Sequence, residues 1–368
     1  NGDALEHFYK AGITFTVYSD AANTERVIPF DIIPRIINTK EWQILESGCA
    51  QRIRALNAFL HDIYHQQNII RAGIVPAVQV MNNDCFQPWM IGKQLAGQVY
   101  AQVSGIDLVR DGEGNYCVLE DNLRTPSGVS YMLEGRRISE ELMPEMFNCQ
   151  KILGVHDYPQ LLKQTLLECS SADNPQIVVL TPGRFNSAYY EHAFLAREMG
   201  VPLVSGSDLY VDGTRVFLRT VTGPKRVDVI YRRIDDPFLD SLAFRPDSML
   251  GVSGLMSAYR AGGVVIANAP GTGVADDKSV YPYVDQMIDF RKIDKGHLNL
   301  EVEPCLIADF ISSVKEHFNG FALKRNIHLR FEANDNPTVW IDKNRMENVL
   351  FNLISNSFKF VSIGGEIL

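Results

Sequence analysis

No stretch of this 368-residue chain approaches the roughly 20 apolar residues that span a bilayer, and its first residues, NGDALEHFYK, lack the charged-then-apolar layout of a secretory signal. No Met opens it either. Six cysteines, Cys49, Cys85, Cys117, Cys149, Cys169 and Cys305, lie far apart with no C-x-x-C pair. That spacing argues against a zinc ribbon or a disulfide framework and makes a reducing cytoplasm the expected location. A basic excess is also missing. Net charge is -9, residues 1–288 carry 25 basic against 33 acidic side chains, and residues 289–368 carry 10 against 11, so neither part shows the basic stripe of a nucleic-acid binder. Neither a nucleic acid nor a membrane is therefore expected as a partner, although an acidic protein can still bind polyphosphates through metal ions. Internal repeats and low-complexity tracts are not visible.

What the chain does have is apolar material, 46% of residues, enough for sizeable cores in two or three domains. Residues 12–18, GITFTVY, read as a strand. In CAQRIRALNAFLHDIYHQQ the residues Ile53, Leu56, Phe59, Leu60 and Ile63 recur at helical spacing. His61 and His65 share a face of that helix, but Asp62 stands where the H-E-x-x-H zinc motif has Glu and no third ligand is apparent, so a solvated surface is expected. Helical PQLLKQTLLECSSA, strand QIVVLTPG, helical NSAYYEHAFLAREMG, strand VPLVSG, hairpin LYVDGTRVFLRT and strands RVDVIYRR and GGVVIANA then alternate, which predicts an α/β domain with a mainly parallel sheet over about 151–284.

Between residues 98 and 123 lies a predicted hairpin that ends in CVLEDNLRTPSGVSY. Strand residues alternate faces, so Glu120, Asn122 and Arg124 point to one side. With Gly112 and Glu113 as a two-residue turn, Asp107 falls opposite Val118 and diagonal to Glu120 on that side. Hard cations such as magnesium take carboxylate and amide oxygens and leave room for water or phosphates, while an arginine holds phosphate bidentately. Taken alone, E-x-N is more often the pattern of a solvated sheet face. An Asp followed thirteen positions later by Glu-x-Asn-x-Arg and a Pro/Gly turn is more than that.

Over residues 12–284 the stretches GIDLVRDGEGNYCVLEDNLRTPSGVSYMLE, VVLTPGRFNSAYYEHAFLAREMG, VDVIYRRIDDPFLD and NAPGTGVADDKSVYPYV resemble the circularly permuted ATP-grasp family related to glutathionylspermidine synthetase. The resemblance implies a metal-binding lobe at 1–150, a Rossmann-like α/β domain at 151–288, and ATP-dependent joining of a small-molecule carboxylate to an amine or peptide through an acyl phosphate. It further implies Asp107, Glu120 and Asn122 as magnesium ligands and Arg124 as a catalytic phosphate contact. Arg232, Arg233, Asp235 and Asp236, after a strand, are weaker candidates for binding a substrate carboxylate or amine; a solvated ion-pair cluster explains them equally well. In GTGVADDKS the glycines and Lys278 suggest a phosphate loop, but Asp277 stands where the P-loop requires Gly, so that reading is rejected.

Beyond about residue 288 the character changes. The segment LIADFISSVKEHFNGFALKRNIHLRFE and the helix WIDKNRMENVLFNLISNSFKF resemble the start of a Bergerat-type histidine kinase ATPase domain, with its N-box, over 289–368. Met346, Val349, Leu350, Leu353 and Ile354 form an apolar stripe on that helix, and Asn348, Asn352, Asn356 and Lys359 line the other side. The resemblance implies Asn356 and Asn352 at magnesium and Lys359 at a nucleotide phosphate. VDQMIDF, residues 284–290, is accordingly expected to cover a join between two fragments. A chain so divided would lack the lysine-bearing nucleotide lobe and show little ligation by itself. Two other functions compete: a sensor histidine kinase fragment with a ligase-like input module, and a non-catalytic α/β binding protein that takes its ligand without magnesium.

Overall fold

Four short apolar runs, IVVL, LV, VIYR and VIA, become neighbouring parallel strands in the computed structural model of the chain, which describes residues 6, 14–19, 22–27, 31, 33–149, 151–294, 301–362 and 364–368. Side chains at 14–19, 22–27, 291–294, 348, 352, 356 and 359 lie outside the description, as do Gly12 and Ile13 of the first predicted strand. The chain divides into two units, Asn1–Arg291 and Lys292–Leu368. Among the described residues no helix is long and apolar enough to cross a membrane, and all six cysteines are free thiols.

The first unit begins with an antiparallel pair, β1 (Thr14–Ser19) and β2 (Ala22–Val27), then a long helix, α1 (Thr39–Ile63). A capping box starts α1: Asn38 Oδ1 accepts from the amides of Lys40 and Glu41, and Glu41 Oε2 accepts from the amide of Asn38. Next come the hairpin β3 (Gly105–Arg110) and β4 (Tyr116–Asn122), then α2 (Val129–Leu142) and α3 (Tyr158–Glu168). The sheet strands β5 (Ile177–Leu180) and β6 (Leu203–Val204) flank α4 (Tyr189–Met199), which Gly200 closes at φ 65, a left-handed conformation open to glycine. A three-stranded antiparallel sheet follows, β7 (Leu209–Asp212), β8 (Arg215–Leu218) and β9 (Lys225–Val227). β10 (Val229–Arg232), α5 (Leu255–Arg260), β11 (Val265–Ala267), α6 (Gly273–Asp276) and α7 (Val284–Asp294) complete the series.

The parallel sheet has the order β11-β10-β5-β6. Alternation along its strands divides two cores: Val178, Leu180 and Ile230 join α1 residues Leu56, Phe59 and Leu60, while Ile177, Val179, Val229 and Tyr231 join Leu162, Phe194 and Met199 of α3 and α4. Because both faces are covered, β5 and β10 are buried at every position. The chain leaves β5 toward β6 and returns to β10 on the other side, so the order reverses between β5 and β10, the place where open α/β sheets hold ligands.

Three expectations need correction. RVDVIYRR is two strands in different sheets, broken at Asp228, whose carboxylate accepts from the Gln176 amide at 3.0 Å. The hairpin register also differs: Asp107 pairs with Glu120, not Val118. Its loop has three residues closed by Gly114 at φ 94, and a bulge leaves Leu119 without a partner; each adds one residue to the offset. Finally, VDQMIDF forms part of α7, with Val284 and Met287 buried in the core of the first unit and Ile288 and Phe290 packed against it.

The second unit pairs β12 (Glu303–Leu306) with β14 (Thr338–Ile341) and β13 (His328–Leu329) with β15 (Glu366–Ile367), alongside α8 (Ile307–Lys324) and α9 (Lys343–Phe360). Asp342 caps α9, as its position before the apolar repeat predicts. The buried face of α9 keeps part of the expected stripe, with Met346, Leu350 and Ile354 half-buried and Ile354 packed against the core. Val349 and Leu353 are 48% and 59% exposed, whereas Phe358 is buried with Ala322 and Ile327, and Phe351 and Phe358 lie 4.8 and 5.9 Å from the ring of Phe318. The large area of the two aromatic rings at 351 and 358 turns the helix so that they join Ile354 on the inner side while Val349 and Leu353 face outward.

Candidate functional site

Residue pairing across the hairpin brings the predicted cation ligands together more directly than their spacing suggested. Asp107 and Glu120 are directly opposed, and Asn122, two positions along β4, shares their face. Asp107 is exposed, Glu120 and Asn122 half-buried. Among the described residues no three His, Cys, Asp or Glu side chains gather as a metal cage. The donor set is two carboxylates and one amide, all hard oxygens, which suits a divalent cation that keeps several waters or phosphate oxygens. The residues present thus fit magnesium.

Two cations flank this face. Lys278 Nζ stands 3.4 Å from Glu120 Oε2, with the lysine side chain 72% exposed. The sequence offered Lys278 only as part of a rejected phosphate loop, and no local signal pairs it with Glu120, 158 residues earlier in the chain. Arg124 donates from Nε to Asp276 Oδ2 at 2.7 Å. Burial works against the Arg124 charge, but the hydrogen bond and charge of Asp276, with Cys85 and Asp235 adding, outweigh it and hold its pKa above the usual value. Burial pushes the Asp276 carboxyl above the ordinary carboxylate range, while Arg124 and the main-chain amides of Leu123 and Arg124 pull it down. Asp277 moves the other way, held low first by the Ser279 amide.

Gly273 explains how α6 approaches so closely. A Cβ there would lie 2.7 Å from Cys85 Sγ and 2.8 Å from Arg124 Cδ, so any side chain would displace the arginine from Asp276. The glycine first considered for a phosphate loop serves here as clearance.

The remaining candidates separate by burial. Arg232 is fully buried and donates to the carbonyls of Asn268, Ile234 and Ala269. Its NH1 also lies 2.6 Å from Asp236 Oδ1, an ion pair whose angle is too poor for a hydrogen bond, while Asp236 Oδ2 accepts from the Gly271 amide at 2.7 Å. Arg233 is buried against Glu191 and the Tyr231 hydroxyl. These three charges are buried inside the fold and paired with its own carbonyls, hydroxyl and carboxylates, some adjacent in the chain and some more than thirty residues away, and not left open at a surface as the substrate-binding expectation requires. Asp235 alone of the four is exposed, on the Arg124 side. His61 and His65 are half-buried rather than solvated; their rings stack at 4.2 Å, and burial lowers the His61 pKa. Asn352, Asn356 and Lys359 lie on α9, with side chains outside the described residues.

The first unit is thus an α/β fold with an oxygen-lined hairpin face, near which a lysine and an arginine stand. The chain belongs to the circularly permuted ATP-grasp family: the family model described as a circularly permuted ATPgrasp matches residues 34–325. It is 53% identical over 284 residues to an uncharacterized protein of Synechocystis sp., covering 77% of this chain and 59% of that one. It is 45% identical over 326 residues to an uncharacterized protein of Mycobacterium tuberculosis, covering 88% and 58%. The chain thus spans about three fifths of the length of these relatives. A Frankia alni protein named "Putative glutamate--cysteine ligase 2-3" is 42% identical over 292 residues, covering 76% and 32%. A glutathione synthetase-like effector of Globodera pallida, solved without ligand, aligns at TM-score 0.47 and 11% identity over 83% of this chain and 70% of that one, too weak a likeness to argue from.

The family match crosses residues 284–290 and continues well into the segment that resembled a histidine kinase. Together with the anchoring of α7 in the core, this leaves neither a join at that point nor a kinase identity supported.

Proposed function

We propose that the chain forms the cation-binding part of an ATP-dependent ligase that joins a small-molecule carboxylate to an amine or peptide. The observation that carries this reading is the register of the hairpin, which sets Asp107 opposite Glu120 with Asn122 on the same face. Family membership supplies the reaction class, and the name of the Frankia relative, a ligase of one amino acid to another, agrees with it.

In this reading Asp107, Glu120 and Asn122 hold magnesium, which when bound supplies positive charge against nucleotide phosphates. Arg124, fixed through Nε by Asp276, offers its remaining nitrogens to a phosphoryl group or to the substrate carboxylate. Lys278 leaves Glu120 when a cation takes its place and reaches phosphate as a second point charge. Asp235, exposed on the Arg124 side, is the candidate to hold the incoming ammonium group and take its proton, so that the neutral amine attacks. The acid attacks the terminal phosphate of ATP, ADP leaves, and the amine displaces phosphate from the acyl phosphate.

The test has two parts. Manganese binding, read by electron paramagnetic resonance, should weaken at least about tenfold in Glu120→Ala. In the whole ligase of which this chain is the cation-binding part, ADP release should require ATP, an acid and an amine together and should vanish in the same variant. Manganese binding indifferent to Glu120, or ADP release independent of the amine, would refute the reading.

A further inference from the structure

Glu120, Asn122 and Arg124 occupy alternate positions, so the residues between them, Asp121 and Leu123, point into the body of the first unit, and both are 0% exposed. Each is tied down by groups from elsewhere in the chain. Arg52 of α1 grips the Asp121 carboxylate as a fork, with Nε 2.8 and 3.0 Å from the two oxygens and NH2 at 2.7 Å. The Tyr281 hydroxyl engages the same residue's main chain, accepting from its amide at 2.6 Å and donating to its carbonyl at 3.3 Å. One step along, the Leu123 carbonyl accepts from Asn268 Nδ2 at 2.7 Å.

The outer half of the hairpin is held more loosely, through an ion pair of Arg110 with Glu41 Oε1 at 3.0 Å whose arginine side chain is 44% exposed. Val109, Val118 and Leu119 are 44%, 37% and 58% exposed, and a two-stranded hairpin is marginally stable unless something holds it. The direction of the ligand oxygens is therefore decided at the base of β4, on the face opposite the cation. Magnesium needs near-octahedral geometry, and a site of that kind works only when its ligands are held to within about 0.5 Å.

We propose that Arg52 is a positioning residue for the cation site, acting through Asp121, with the Tyr281 hydroxyl as the second point of the clamp. The inference rests on the reading of Asp107, Glu120 and Asn122 as ligands of a divalent cation. Arg52 reaches Asp121 from inside the fold, its side chain 14% exposed, and influences the cation through the set of the strand. A pair retained only for stability would lower the melting temperature on removal and leave the affinity of folded molecules alone. A clamp changes that affinity.

The experiment uses the full chain and manganese alone as the probe. Affinity per folded molecule is measured by electron paramagnetic resonance, and amide hydrogen exchange is followed over residues 118–123. Glu120→Gln serves as the reference for loss of a ligand. Arg52→Lys keeps the charge but loses the fork, and Tyr281→Phe removes only the hydroxyl. The double variant Arg52→Gln/Asp121→Asn keeps a neutral hydrogen-bonded pair in case Arg52→Lys fails to fold. Arg52→Lys and Tyr281→Phe should each weaken manganese binding roughly three- to tenfold, with faster exchange at Glu120 to Leu123, by analogy with loss of partners that orient metal ligands. Wild-type affinity in both of these and in the double variant, alongside weakened binding in Glu120→Gln, overturns the clamp and leaves the site standing. Binding in Glu120→Gln equal to wild type removes the site, and the clamp with it.

Discussion

Two regions of the first unit, one around Arg232 and Arg233 and one around Arg124, differ in what their neighbours leave unspent. Around Arg232 and Arg233 the guanidinium groups are 0% and 4% exposed as residues, and backbone carbonyls, Glu191 and Asp236 occupy them. Around Arg124 one nitrogen is committed to Asp276 while 43% of the side chain stays exposed, next to a lysine and an open carboxylate face. Net charge does not distinguish these regions. What separates them is hydrogen-bonding capacity facing solvent, which Arg124 keeps and which, on the proposed reading, a ligand fills without taking anything from the fold.

The largest expected effect belongs to the saturated region. Arg232→Met strands the Asp236 carboxylate and three carbonyls, and should cost about 3 to 5 kcal/mol in urea unfolding. A loss below ~1 kcal/mol would erase the distinction. Arg124→Met should do the reverse. Its ion pair is half-exposed, with Arg124 at 43% and Asp276 at 6%, and Asp276 keeps main-chain amide partners, so the loss of stability should stay at about 1 to 2 kcal/mol. Acid- and amine-dependent ADP release by the whole ligase should nevertheless fall about a hundredfold if the arginine meets developing phosphate charge. Unchanged turnover with lowered stability would place Arg124 with Arg232.

A smaller effect reads the saturated region through pH. His192, 2% exposed and bonded through Nδ1 to the Thr181 hydroxyl at 2.9 Å, has its pKa lowered from 6.5 to about 3 by burial and then by the Arg233 charge. The unfolded chain therefore binds a proton that the folded chain refuses. Its contribution is complete above pH 6.5 and is lost as pH falls toward 3. Between those limits, stability measured by urea unfolding should fall less steeply in His192→Gln, by up to ~1.4 kcal/mol per pH unit. Identical slopes would mean that the imidazole is not kept neutral.

Much of the fold was legible because local periodicities carry it. The apolar runs of β5 and β10 announced strands covered on both faces, and α1 showed its stripe. The face shared by Glu120 and Asn122 followed from alternation alone. Register did not follow, since one extra loop residue and the bulge at Leu119 together moved the partner of Asp107 from Val118 to Glu120. The burial of Arg232 was invisible because its acceptors at Asn268 and Ala269 lie more than thirty residues on. Phe351 and Phe358 illustrate a further limit. The aliphatic stripe of α9 overlaps their face at Ile354, and the packing of Phe318 on α8 against both rings sets the rotation that leaves Val349 and Leu353 exposed.

Lys278 offers the smallest and most discriminating measurement. Its ammonium, 3.4 Å from Glu120 and 72% exposed, is screened by water and contributes little to the fold. It nevertheless lies where a divalent cation would meet the same carboxylate, and like charges compete. Removing it in Lys278→Met should therefore tighten manganese binding without nucleotide about two- to fivefold, the scale of an exposed pair. With ATP present the sign should reverse, because the variant loses a point charge that the phosphates would otherwise meet. Raised salt should shrink both effects by screening. A variant that binds manganese more weakly than wild type would mean that Lys278 supports the carboxylate rather than competing for it, and the open face beside Arg124 would then resemble the closed region around Arg232.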